Sequence, residues 1–210
     1  MNLKTLISFY VCLSVFAVGA VGLIMPEYRA IFADFSWANL LMVFGLMVLN
    51  HTAINKTFWR FIGITYLVGF TVELVGVNTG LLFGEYVYGN ALGFKLFGTP
   101  LMIGVNWVIC VWSIGAVLHN WMLPVWYKAA LGAAILVALD MLLEPVAMAL
   151  DFWQWAGNEI PTQNYLMWWL VSYVLLNLYF RWMHEKPSVF TQFIFWLLLV
   201  FFGLLNFMIT

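Results

Sequence analysis

The sequence predicts an all-α integral membrane protein, a bundle of about seven transmembrane helices with two aromatic, glycine-rich capping loops, in a single domain over residues 1–210. Three observations carry this reading. Hydrophobic residues make up 65% of the 210, about 137 positions, and seven spanning helices of roughly 20 residues each use about 140. Only 8% of residues are charged, against about 25% in an ordinary soluble domain, too few to cover a water-exposed globule. Apolar runs of spanning length recur along the whole chain, divided by charged residues, proline or glycine. A soluble fold is excluded, as is a single anchor carrying a large water-exposed domain. The net charge of −1, with no basic or acidic block, favours neither nucleic acid nor electrostatic docking on a membrane surface. It leaves a lipid-like partner.

The first run, Thr5 to Met25, follows Lys4 as a signal peptide would. Yet it is of spanning length and passes into Pro26 and Glu27 without a polar cleavage region, so it reads as the first span. The others are Trp37 to Ile54, Phe58 to Val77, Leu101 to Trp121, Val125 to Ala149, Tyr165 to Arg181 and Val189 to Met208. Trp37, Trp59, Trp121, Trp126, Trp168 and Trp182 fall near span ends, where an amphipathic ring favours the headgroup zone. With the N-terminus in the cytoplasm, Lys4, Lys56, Arg60, Lys128, Arg181 and Lys186 lie inside and only Arg29 and Lys95 outside. Excess positive charge marks the cytoplasmic side, so a prokaryotic inner-membrane protein with an extracytoplasmic C-terminus is expected. Cys12 and Cys110 each sit in an apolar run and read as core filling.

Two outer connections exceed a turn. Leu81 to Thr99 carries four glycines and several aromatics, with Tyr86 and Tyr88 spaced to point the same way from an extended chain. Asp151 to Asn164 repeats the style with Trp153 and Trp155. Both are too apolar for solvated loops and are expected to fold back over the helix ends. The Gly76, Gly80, Gly84 series either packs helices closely or enters the first of these loops.

Three carboxylates lie inside predicted spans: Glu73 in the third, and Asp140 and Glu144 in the fifth. An acid at membrane depth costs roughly 2.5 to 3.5 kcal/mol on insertion scales, which makes it a functional candidate by default. All three fall roughly 5 to 10 Å below the outer boundary at 1.5 Å per residue, and Asn106 and Trp107 reach a similar level from the opposite direction. Asn78 follows close behind Glu73. Asp140 and Glu144, one helical turn apart, share a face. Two ionised carboxylates there repel, so in a dry pocket at least one keeps its proton, forming a general acid and base pair. Pro145 is expected to kink the helix just beyond them. His51, His119 and His184 fall near the cytoplasmic ends without metal-ligand spacing, so no metal site is read.

The stretch ELVGVNTGLLFGEYVYGNALGFKLFGTPLMIGVNW (Glu73 to Trp107), with DMLLEPVA (Asp140 to Ala147), FWQW (Phe152 to Trp155) and IPTQNYLMWW (Ile160 to Trp169), resembles the membrane-integral carotenoid biosynthesis family that includes carotenoid 1,2-hydratases. The resemblance implies a cofactor-free hydratase acting on acyclic carotenoid ends, as in lycopene, gamma-carotene and bacterioruberin precursors. Its motif residues here are Glu73, Tyr86, Tyr88, Asn106, Trp107, Asp140, Glu144, Asn164 and Trp168.

Adding water to a terminal trisubstituted alkene starts with protonation at C2 and ends with water capturing the C1 tertiary cation. The step requires a strong acid, aromatic faces or a carboxylate beside the cation, and a base for the water proton. Asp140 or Glu144 is expected as proton donor, Glu73 as water-positioning base and Asn106 as orienter. Tyr86, Tyr88 and Trp107 line the expected cation pocket, and Asn78, Asn164 and Trp168 complete the substrate-binding set. Two alternatives share parts of this pattern. A lycopene-type cyclase begins with the same protonation, and a carboxylate-based proton or cation transporter also places acids in the membrane. A retinal photoreceptor is disfavoured, because Val189 to Met208 contains no lysine.

Overall fold

A computed structural model describes residues 2–210 and contains eight α-helices. They are α1 (Leu3–Ile24), α2 (Arg29–Asp34), α3 (Ser36–Leu49), α4 (Lys56–Thr79), α5 (Leu101–Leu118), α6 (Val125–Ala149), α7 (Thr162–Trp182) and α8 (Val189–Ile209). Short side chains fix several starts: Asn2, Asn55 and Ser188 each accept a backbone N–H from the first turn of α1, α4 and α8, satisfying a donor that the helix itself leaves free. Five helices, α1, α4, α5, α6 and α8, are long and apolar enough to cross a membrane.

The seven-span expectation therefore needs adjusting at two helices. In place of a span from Trp37 to Ile54, α3 has 14 residues, or about 21 Å at 1.5 Å per residue, short of a hydrocarbon layer of about 30 Å. It stops where Asn50 turns its amide onto the Leu46 carbonyl and the Ser8 hydroxyl. The 21 residues of α7 are long enough, but Gln163, Asn164, Ser172, Asn177 and Arg181 dilute its apolar character. The short α2 was not anticipated. It folds the first connection back so that Phe32 fits against Gly22 and Arg29 donates to the Leu23 and Ile24 carbonyls at the end of α1.

Helix α5 is the centre of the bundle. Fourteen of its 18 residues are buried, and it packs against α3, α4, α6, α7 and α8. Outer helix faces are apolar and exposed, as at Val18, Leu67, Val200 and Phe207, the surface a bilayer would cover. Pro145 lies inside α6 without ending it, and Asn206 of α8 donates to the Leu142 carbonyl next to the proline turn.

The two long connections do fold over one end of the bundle, as strands. Strand β1 (Tyr86–Tyr88) pairs antiparallel with β4 (Trp153–Trp155), while β2 (Lys95–Leu96) pairs with β3 (Thr99–Pro100). The glycine series builds this cap. Gly76 leaves room for Phe83 and the Tyr86 hydroxyl, whereas Gly80, at φ +66°, ends α4 in the left-handed conformation.

Candidate active site

The β1–β4 register sets Tyr86 opposite Trp155 and Tyr88 opposite Trp153. Alternate residues of a strand face one side, so all four rings point down into the bundle, and all four are buried. Their centroids lie 4.8 Å apart for Tyr86–Trp155 and 5.8 Å for Tyr88–Trp153, within the range of favourable aromatic pairs. The polar tips of each strand take one carboxylate.

From β1, the Tyr86 and Tyr88 hydroxyls both donate to Glu73 Oε2, at 2.6 and 2.8 Å. The other oxygen, Oε1, accepts the Trp107 indole N–H at 3.0 Å. Gly69, one turn before Glu73, permits that last bond: a Cβ there would lie 2.5 Å from Trp107, so only a glycine lets α4 and α5 approach closely enough. Burial, followed by the Glu73 charge, holds both tyrosine hydroxyls above the usual phenol range, so they remain O–H groups.

From β4, the Trp153 and Trp155 indoles both donate to Glu144 Oε2, at 2.9 and 2.7 Å. Asn164 of α7 spans the acid pair on α6. Its Nδ2 donates to Glu144 Oε1 and to Asp140 Oδ2, each at 3.0 Å. Asp140 Oδ1 is buried and has no hydrogen-bond partner. One turn along α7, Trp168 stacks on Trp107 with centroids 4.2 Å apart and ring planes 18° apart. The two helical pairs, Asp140/Glu144 and Asn164/Trp168, therefore interlock face to face.

Eight of the ten expected site residues gather in this layer. Two do not join its hydrogen bonds. Asn78 is exposed and donates to the Leu74 and Phe97 carbonyls, steadying the loop. Asn106 is half-buried and lines a neighbouring apolar cavity of about 620 Å³, which reaches from α1 and α3 to Leu143 and Trp153. Trp153 thus has two surroundings, its ring on the cavity and its N–H on Glu144. The sequence reading missed Trp153 and Trp155 as carboxylate partners. Their two-residue spacing, matching that of Tyr86 and Tyr88, was the available signal. Among the described residues no group of three or more His, Cys, Asp or Glu could hold a metal ion. His51 stacks on Phe58, and His119 meets the edge of Tyr179, both away from the acids.

The arrangement differentiates three buried acids. Glu144 meets only N–H donors, and neither an indole nor the amide nitrogen can accept in return, so its environment suits a permanent carboxylate. Glu73 meets two hydroxyls that can rotate and accept, so its environment tolerates either protonation state. Asp140, sharing one neutral amide with Glu144 and offering a free oxygen, is the group suited to hold a proton.

The sequence profile described as "Carotenoid biosynthesis protein" matches residues 37–210, a range that includes every group in this layer. The chain is also similar to a bisanhydrobacterioruberin hydratase from Haloarcula japonica, 32% identical over 127 residues that cover 54% of this chain and 41% of that protein. The matched segment thus spans less than half the length of that relative. No solved structure matches.

Proposed function

Because this chain belongs to the carotenoid biosynthesis protein family, we propose that it is a carotenoid 1,2-hydratase, adding water across the terminal C1=C2 double bond of an acyclic carotenoid end. The observation that carries the proposal is the asymmetry of the acid pair: Asp140 Oδ1 is buried without a partner, while Glu144 one turn away accepts three N–H groups. A neutral acid fixed beside a permanent anion is what alkene protonation requires. The similarity to a protein named as a hydratase supports water, rather than an internal double bond, as the nucleophile.

In this reading Asp140 delivers its proton to C2, and positive charge develops at C1. The Glu144 carboxylate and the faces of Tyr86 and Tyr88 stabilise that charge. Water adds to C1 and passes a proton to Glu73, whose tyrosine hydroxyls reorient as it becomes neutral. Return of the proton to Asp140 closes the cycle, leaving a tertiary alcohol. The reaction is redox-neutral and its proton inventory is met by side chains and water. Trp107 and Trp168 serve as the wall that positions Glu73.

The orientation proposed is N-terminus cytoplasmic in a prokaryotic inner membrane. Lys4 reaches the Leu49 carbonyl, Lys128 the His119 carbonyl, and Arg60 lies 4.6 Å over the Trp182 ring. These contacts gather cations at the end opposite the aromatic cap.

Expression in a host that accumulates lycopene or gamma-carotene, followed by chromatography and mass analysis of the pigments, tests the assignment. A hydroxylated product heavier by one water is expected. A product of unchanged mass would indicate cyclisation. No conversion of any acyclic-ended substrate by folded protein would refute the reading.

A further inference from the structure

A groove on the cap side of the acid layer takes no part in the chemistry of the three carboxylates. It has a volume of about 500 Å³ and lies where the end of α4 meets the β1–β4 ladder. Asn78, Thr79 and Glu85 form its rim and are exposed, whereas Tyr86 and Trp155, which form its floor, are buried. These two rings are cross-strand partners with centroids 4.8 Å apart. Each ends on a different acid, the Tyr86 hydroxyl on Glu73 and the Trp155 indole on Glu144. A single aromatic side chain therefore separates the groove from either carboxylate.

The lining decides what the groove can hold. Asn78, Thr79, Glu85 and Gln154 supply amide, hydroxyl and carboxylate groups, and no Lys, Arg or His stands among the lining residues, so an anionic ligand finds no counter-charge. At about 30 Å³ per molecule of liquid, the space accommodates on the order of ten waters. The larger cavity beside the layer is walled almost wholly by apolar side chains, where a water lacks the polar partners it needs. Asn78 finds its place here. It misses the acid layer, but its Nδ2 is spent on the Leu74 and Phe97 carbonyls, which leaves Oδ1 as an acceptor at the groove rim.

We infer that this groove is the route by which water reaches the acid layer, with the Tyr86–Trp155 pair as its gate. The phenol oxygen of Tyr86 donates to Glu73 and still has lone pairs to accept from a water. A water arriving from the groove is therefore received at Tyr86 and passed on beside Glu73. Tilting of the two rings is a side-chain motion and leaves the helices in place. The inference rests on the hydratase reading for the fate of the water. The route itself is a property of the groove and is measurable without substrate, so the two fail separately.

The test uses the whole protein in nanodiscs, where both membrane faces meet solvent. Hydroxyl-radical footprinting, read by mass spectrometry, compares Tyr86 with Tyr88. Both donate to Glu73 Oε2 and both are buried, but only Tyr86 lines the groove, so Tyr86 should be oxidised several-fold faster. Ala156→Cys and Val87→Cys each put a thiol on an exposed groove residue, while the native Cys12 and Cys110 are buried, so a bulky membrane-impermeant maleimide fills the groove alone. Modification of either variant should bring Tyr86 oxidation down to the Tyr88 rate. It should also lower hydration turnover about tenfold or more, as a newly rate-limiting access step does, while polyene binding persists. The same reagent on Met122→Cys, fully exposed at the opposite end of the bundle, should change neither. The expected footprints in a protein that hydrates no acyclic carotenoid would refute the hydratase reading and uphold the route. Equal oxidation of Tyr86 and Tyr88 would overturn the route. So would Tyr86 oxidation or turnover that survives modification of both groove variants, or a loss of either on modifying Met122→Cys.

Discussion

At the scale of single residues, the three buried acids differ in what surrounds them, and substitution should separate them. Asp140→Asn keeps an acceptor for Asn164 and sets its NH2 where no donor stands, so thermal stability should be preserved. Turnover should fall by about 100-fold or more, the usual contribution of a general acid. Glu144→Gln is different, because an NH2 there must oppose an indole or amide N–H. It should lose activity and about 1 to 3 kcal/mol of stability, the cost of unsatisfied buried groups, read as a lowered Tm in detergent. Equal stability losses in both variants would remove the distinction. The acids themselves were legible in the sequence, since a charge inside an apolar run stands out. Which neighbours joined them depended on helix phase. Asn78 lies five residues beyond Glu73, about 140° around the helix at 100° per residue, and so faces the loop. Asn106 is one residue and about 100° from Trp107, and so faces the cavity.

At the scale of elements, the antiparallel β1–β4 ladder organises the site by carrying one carboxylate's donors on each strand. Its closure depends on Gly89, where an added Cβ would stand 1.8 Å from the Asp151 carbonyl oxygen. Gly89→Ala should therefore separate the strands, reduce turnover by at least tenfold and lower Tm, while the helices remain inserted; native Tm and turnover would show that the ladder is dispensable. Substituting Trp155 by Phe keeps the ring but removes the 2.7 Å donor to Glu144, and should lower kcat without comparable loss of substrate binding. Unchanged kcat would show that this bond is not used. The cap was foreseeable because both loops are too aromatic to be solvated. Its pairing was not, since strands of three residues joined across more than 60 positions leave no local pattern. For the same reason Trp153 and Trp155 read only as aromatic residues of a folded-back connection. The break after α3 and the small helix α2 were also hidden, because hydropathy sums apolar residues without registering where Asn50 and Arg29 redirect the chain.

At the scale of the whole molecule, the composition that excludes a soluble fold also defines the site. A bundle with five helices apolar enough to cross a membrane surrounds a layer of three buried acids under an aromatic cap, and beside it lies a cavity bordered by the exposed Val18 of the apolar flank. A hydrocarbon reaches such a site from the bilayer, whereas water has to be admitted at the layer itself. A carboxylate-driven transporter would need a polar route continuing from Glu73, Asp140 and Glu144 to the other end. The groups there are instead enclosed by aromatic packing, with His51 between Phe58 and Trp112. The most direct test of acid-catalysed hydration is turnover of an acyclic carotenoid by the purified protein in deuterated, oxygen-labelled water, with the product read by mass spectrometry. The account predicts one deuterium at C2 and a labelled hydroxyl at C1, both lost with Asp140→Asn. A product that carries deuterium but no labelled oxygen, or full labelling in the Asp140→Asn protein, would contradict it.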